Sequence, residues 1–430
     1  MSKVSLLESY KSRIAVAESF YAKNNGGAKL DNQKKMAVAR LLDNTQKYLN
    51  ESFENSVGTQ RADMGMWRKF CLNLTTVAVP SLIAFDLVMV QPISSMSGYI
   101  TYIKYTAGSN KGDIQRGHVF NSPFGLGDLG EGNYTGANVV ETLDAGKKLM
   151  WTPVLKVVKA TDAQGEAIDT ADWSVAEDGT VTGTGVDAGV KVAYVYDNVY
   201  IPQNDLPLIN AEVDHIAVFA KPRRVAVYYS QMAAFQAKQD YGFDLGDQLA
   251  EKAVGQLAYE IDTEVVKLLA DNATAAAELS WSKAIPQYIS MSQHYESFAA
   301  EIEKAKKIVY DATKRFVPNY MIIASDILPI LTFVKGFEAA PVKDMNGPYL
   351  AGTINGVKVY VSPAIEQGSY VVGVNGNDLM SSAAVYAPYM AIVPTQLLGY
   401  ADGSLSQGFS TLYGLEILNK NLLVKGKVVA

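Results

Sequence analysis

The sequence predicts an α+β chain built from more than one compact unit and carrying a small all-β insertion. Three observations carry that expectation. Leu245, Leu249, Ala253, Leu257, Ile261, Val265 and Leu268 recur at steps of three or four, an apolar stripe along a helix of about 25 residues, or roughly 38 Å. Short β-patterned and helical stretches alternate with tight turns after Pro318. Upstream of both, a glycine-rich stretch leads into a β-patterned segment at 153–200. At 430 residues the chain also exceeds one ordinary domain of about 100–200 residues.

Residues 1–58 read as two helical stretches around the turn Asn24-Asn25-Gly26-Gly27. In the second, Leu30, Lys34, Met36, Val38, Leu41, Leu42 and Leu49 give an imperfect helical stripe. This arm has little apolar mass of its own and is expected to pack on a neighbour. A third helical piece runs from Ala62 to about Asn73. Pro80 then opens a strand-like stretch that Pro92 interrupts. Between Gly108 and Gly146 there are nine glycines in 39 residues, which predicts a long extended loop rather than a packed layer. In the next segment Val190, Val192, Tyr194 and Tyr196 alternate with Lys191, Ala193 and Val195. Asp178-Gly179, between Trp173-Ser174-Val175 and Val181, is a hairpin signal. Residues 153–200 therefore read as a separate β module with one tryptophan for its core. A strand pattern from Val213 precedes the long helix. A second helix, 296–315, repeats the stripe with Phe298, Ile302, Ala305, Val309 and Ala312.

Composition excludes more than it assigns. The chain is 48% hydrophobic and only 19% charged, against roughly 25% in soluble domains, and holds 25 Tyr. Partner-covered surface has this character, since interface cores lose charge and gain Tyr; composition alone leaves that open. The single Cys71 excludes a disulfide framework and a cysteine zinc site, and suits a reducing compartment. The segment MSKVSLLESYKSR lacks an apolar signal core, and Val77–Val90 is broken by Pro80 and Asp86, so neither secretion nor a membrane span is expected. Net charge is −6, which argues against a dedicated duplex-DNA binder. Residues 1–60 hold nine Lys and Arg against six Asp and Glu, so the arm carries +3 and the remainder −9.

Candidate chemistry is thin. Gly125-Leu-Gly127-Asp-Leu-Gly130 matches GxGxxG, but follows Asn-Ser-Pro-Phe rather than a strand, and Asp128 and Glu131 would meet the phosphates. His118, His215 and His294 are scattered without a ligand-spaced partner. Cys71 lies on an apolar helical face with no assigned base. The paired acids Asp262/Glu264 and Glu301/Glu303 read as solvated helix surface. A basic arm, a long glycine-rich excursion, an inserted β module and a terminal α+β region suit an assembling subunit.

Four blocks in order resemble one family. Pro80-Ser-Leu-Ile-Ala-Phe-Asp-Leu-Val-Met-Val-Gln-Pro92 with Ser95-Met-Ser-Gly98 resembles the P-x-L-I-x-x-D-L-V-x-V-Q-P-M-x-x-P-x-G signature of major capsid proteins of T-even-like tailed bacteriophages. Ala220 to Ser230 is similar to the family segment leading into its long helix. Val385 to Pro394 is similar to its Y-Y-A-P-Y-V-A-L-x-P block, and Gly408 to Gly414 to its G-F-K-T-R-Y-G block.

The resemblance implies the Hong Kong 97-type capsid fold. It assigns 1–78 to an N-terminal helical arm, 79–106 to a peripheral-domain strand leading into the E-loop, and 107–210 to the E-loop with the β module at about 153–200. It assigns 211–316 to the peripheral domain with the spine helix at about 243–271, 317–412 to the axial domain, and 413–430 to a C-terminal strand and tail. The implied function is that of a non-enzymatic shell subunit, with no catalytic, cofactor or metal residue, forming hexamers around packaged double-stranded DNA. Implied partners are copies of itself in neighbouring capsomers, a vertex protein, a portal, a scaffold and decoration proteins, with assembly in the host bacterial cytoplasm. A pentameric vertex protein of the same family, or a non-viral shell protein of the same fold, is the alternative. Leu49-Asn-Glu51 and Leu6-Leu-Glu8 fit the family's head-protease pattern. The basic arm is expected to bind an acidic scaffold, to face DNA, or simply to be solvated. Ser94 to Gly98 lacks the family's second proline, and the chain runs 16 residues past Gly414.

Overall fold

A computed structural model describes residues 3–24, 27–54, 71–80, 82–121, 134–197, 199, 206–340, 347–376 and 378–429. The arm forms α1 (Lys3–Ser9), α2 (Lys11–Asn24) and α3 (Asn32–Glu54). A helix over 71–80, α4, and a short α5 (Ala84–Leu87) follow, then β1 (Met89–Val90) and β2 (Ser97–Ala107). Next come β3 (Val119–Asn121), β4 (Asn138–Thr142), β5 (Val154–Thr161), β6 (Ala167–Ile168), β7 (Ser174–Val175), β8 (Val181–Thr182) and β9 (Lys191–Tyr196). The chain continues through β10 (Ile209–Phe219), β11 (Lys221–Ser230), α6 (Gln231–Asp240), α7 (Leu245–Asn272), β12 (Thr274–Ser282), α8 (Met291–Glu296) and α9 (Phe298–Thr313). It ends with β13 (Tyr320–Ile323), α10 (Leu328–Leu331), β14 (Phe337–Ala339), β15 (Tyr349–Ile354), β16 (Val357–Val361), β17 (Ser369–Gly373), β18 (Ala384–Pro394), β19 (Leu398–Gly399), β20 (Ser404–Ile417) and β21 (Leu423–Val429).

These elements form two compact units, 1–100 with 215–430, and 101–214. The first contains two sheets. One has the order β1-β18-β20-β11, with β19 also on β20; the other runs β12-β21-β17-β13-β16-β15-β14. Helix α7 packs on the first sheet, and its start is set by Asp244, whose side chain accepts the N–H groups of Gly246 and Asp247. Helix α9 lays Phe298, Ile302, Ala305 and Val309 into the core beside the second sheet, where Tyr320–Ile323 are wholly buried. In that sheet Tyr370 pairs in register with Gly426, and a Cβ at 426 would sit 2.3 Å from the Tyr370 ring, so only glycine lets the ring lie flat there.

Several expectations need correction. The arm packs on its own body: Tyr21, Leu30, Val38, Leu41, Leu42 and Leu49 join the main core, and Asn44 donates to the carbonyls of Ile93 and Tyr389 at 2.9 and 2.8 Å. Each buried leucine contributes about 1.5–3 kcal/mol, enough to dock a helix without a partner. Pro80 closes helix α4 instead of opening a strand, and residues 84–87 are helical. The expected third helix falls partly outside the described residues. Residues 423–429 form the C-terminal strand as an inner strand between β12 and β17, whereas residues 384–417 belong to the first sheet, so 317–412 is split between two sheets.

The second unit corrects the loop reading. Strand β4 pairs with β9, which pairs with β5, and Val139, Leu143, Leu149, Trp151, Val192, Tyr194 and Tyr196 form its core. The module thus begins near Asn138 rather than 153, because the short strand Asn138–Thr142 follows a glycine-rich stretch and carries no period-2 pattern of its own. Its buried tryptophan is Trp151; Trp173 is half-buried, its indole N–H bound to the Thr184 carbonyl at 2.9 Å. The Asp178-Gly179 turn does join β7 to β8, with Gly179 at φ +84°.

Candidate assembly surfaces

Residues able to do chemistry are dispersed. His118 meets the edge of Phe120, His215 that of Tyr99, and His294 stacks on Trp281 with ring centroids 4.7 Å apart. Among the described residues no three His, Cys, Asp or Glu side chains could hold a metal ion. Burial pushes the Cys71 thiol up to about 12, which leaves it protonated and inert. The GxGxxG segment lies outside the described residues.

The paired acids are not all solvated. Asp262 and Glu301 are 7% and 6% exposed. Helix α7 meets strands along one side and α5 along another, so its buried arc is wider than one stripe. Asp262 Oδ1 accepts the Ala84 N–H at 3.0 Å, and burial, with the nearby Asp86 charge, raises its carboxyl to about 7. Glu264 instead takes both ends of the Arg223 guanidinium at 2.9 Å and the Tyr413 hydroxyl at 2.7 Å, tying α7 to β11 and β20. Glu301 pairs with Lys304 at 2.6 Å, and Glu303 with Lys306 at 2.7 Å.

Tyrosine divides between core and surface. Tyr21, Tyr102, Tyr134, Tyr194, Tyr196, Tyr295, Tyr320, Tyr360, Tyr370, Tyr386 and Tyr413 are buried within the single chain, so partner-covered surface accounts for only part of the excess. Part of the remaining apolar surface gathers around one short helix. Helix α6 starts where Ser230 Oγ accepts the Ala233 N–H, and it buries only Ala237. Met232 and Phe235, three residues apart on one face, are 74% and 66% exposed. Strand register sets Tyr228, Ser406 and Leu398 in one cross-strand row, and Tyr228 and Leu398 are both exposed. The Tyr228 hydroxyl donates to Asp402 at 3.2 Å, and Gln231 N–H to the Gly403 carbonyl, so the 399–404 turn adjoins the start of α6. Pattern reading missed this patch; its one signal was two large apolar residues on a short helix without a buried stripe.

The acid excess has an address. Residues 101–214 hold 16 Asp and Glu against 8 Lys and Arg, a net −8, which leaves the other unit 28 against 30, a net +2. A strongly acidic unit repels polyanions and its own copies, and attracts basic surfaces.

The family model for the major capsid protein Gp23 matches residues 64–428. The major capsid protein of Enterobacteria phage T4 is 22% identical over 414 residues, covering 83% of this chain and 74% of that protein. That of Vibrio phage KVP40 is 22% identical over 395 residues (82% and 75%), and that of Salmonella phage ViI 22% over 404 (87% and 83%). Among solved structures, that of Microbacterium phage Oxtober96 aligns with a TM-score of 0.40 and 12% identity, covering 80% of this chain and 90% of that one. With the described body, from α4 to β21, falling inside one family model, the chain belongs to the Gp23 family of major capsid proteins of T4-like bacteriophages.

Proposed function

We propose that copies of this chain assemble as hexamers into a phage head shell enclosing double-stranded DNA, in the Hong Kong 97-type arrangement. The observation that carries the reading is the family match over 64–428, which takes in both sheets and the whole acidic unit. In it α7 is the spine helix, residues 101–214 are the E-loop with its inserted β module, and the seven-stranded sheet is the axial domain. Exposed Met232, Phe235, Tyr228 and Leu398 supply contacts that a lattice repeats many times, so modest individual contacts suffice. Vertex, portal, scaffold and decoration proteins are the further partners of that role, and the host cytoplasm its place of assembly. Glu51 and Glu8 lie within α3 and α1, so a head protease would have to unwind helix to cut there. Negative-stain electron microscopy of the expressed chain tests the proposal: hexamers, tubes or closed shells are expected, and monodisperse monomers at high concentration would refute it.

A further inference from the structure

Two carboxylates bracket one turn. Asp262 of α7 is buried and binds the N–H of Ala84, the first residue of α5. No ion pair among the described residues includes it. Two positions further on, Asp86 Oδ1 accepts Lys34 Nζ at 2.7 Å and the Tyr21 hydroxyl at 2.5 Å, so α3 and α2 are both held by this one side chain. Its backbone carbonyl is fixed by Asn375 Nδ2 at 2.8 Å. A cleft of about 220 Å³ beside Lys34, Asp86 and Lys358 opens to solvent.

The other groups around Asp262 do not neutralise it. Tyr386 of β18 is a buried phenol, held neutral by desolvation and by the charges of Tyr413 and Asp262. Glu264 is occupied by Arg223 of β11 and Tyr413 of β20, and Lys425 of β21 lies on Glu366. Tyr360 of β16 is kept neutral by burial, with Asp86 adding to the effect. Lys34 is engaged by Asp86.

We infer that Asp262 and Asp86 form a proton-sensitive latch on the N-terminal arm: with Asp262 protonated the 83–87 turn presents Asp86 to Lys34 and Tyr21, and with Asp262 ionised the arm loosens. A buried carboxylate without a cation gains most from any motion that admits water. Ile83, Phe85, Ile261 and Val265 share one core with Val38, Leu41 and Leu42 of α3, and lifting α3 hydrates that core while leaving both sheets paired.

Burial holds the Asp262 proton to about pH 7 in the closed arm, whereas a hydrated Asp262 would release it near 3.9. The opening constant should therefore rise about tenfold per pH unit up to about pH 7 and level above it. Hydrogen-exchange protection factors of residues 32–54 in the full chain, measured from pH 5 to 8, read this directly. The native chain should lose protection by about tenfold per pH unit between roughly pH 5 and 7, and Asp262→Asn should lose the step. Lys34→Gln should lower protection already at pH 5 and keep the step, which provides the test should Asp262→Asn not fold. Flat native protection, an equal step in Asp262→Asn, or full protection in Lys34→Gln would each overturn the latch.

Discussion

Asp262 shows how one residue ties stability to pH. Its carboxyl is raised to about 7 by burial, so between about pH 4 and 7 the folded chain holds a proton that the unfolded chain has released. A raised carboxylate makes folding most favourable at low pH, and the benefit fades as pH rises to about 7. Asp262→Asn keeps an oxygen for the Ala84 N–H and cannot ionise. We expect its thermal midpoint to exceed that of the native chain at pH 8, by an amount corresponding to roughly 2–4 kcal/mol, and to converge with it near pH 4. Parallel midpoint curves for the two proteins would contradict this. Gly112 makes a different demand: its φ is +58°, and a Cβ there would lie 2.1 Å from the Val140 carbonyl oxygen, against β4. Gly112→Ala should therefore destabilise by about 2 kcal/mol or more, read as a lower denaturant midpoint.

At the scale of elements, legibility followed how much of an element's burial its own sequence dictates. The stripe from Leu245 to Leu268 predicted α7, and Phe298 to Val309 predicted α9, because each helix rests a regular face on a sheet. Asp262 escaped because a helix covered on two sides buries residues that a one-face pattern assigns to solvent. Strand β4 escaped for a related reason: glycines around it suppress periodicity, while tertiary pairing with β9 decides its state. The resemblance blocks fall on β11, β18 and β20 but carried no information about the arm, whose docking is set by contacts between residues 30–50 and the body. Helix α6 inverts the usual relation, since its large side chains face outward. A Met232→Ser, Phe235→Ser double variant should change the melting midpoint by little, as exposed sites do, yet block assembly. Electron microscopy beside a melting curve separates the two effects; shells of normal yield would remove the patch from the assembly surface.

For the whole molecule, the division into units changes how the glycine-rich region should be cut. Removing residues 108–146 would take out β4, Tyr134, Leu143 and the buried Lys111, whose ammonium binds the Tyr134 and Gly136 carbonyls, and so would unfold the acidic unit rather than shorten a loop. The natural boundary lies elsewhere. Tyr99 and His215 stand at the two sides of the excursion with ring centroids 4.9 Å apart, so a few glycines and serines can join the chain there at small loop-closure cost. A chain lacking residues 102–213 keeps both sheets, α7, α9 and the docked arm, and moves from a net −6 to about +1. We expect it to melt in one cooperative step and to form no closed shells, since the segment proposed as the E-loop is gone. Intact shells from this deletion would show that contacts of the remaining unit suffice for closure; a chain that fails to melt cooperatively would show that the two units fold only together.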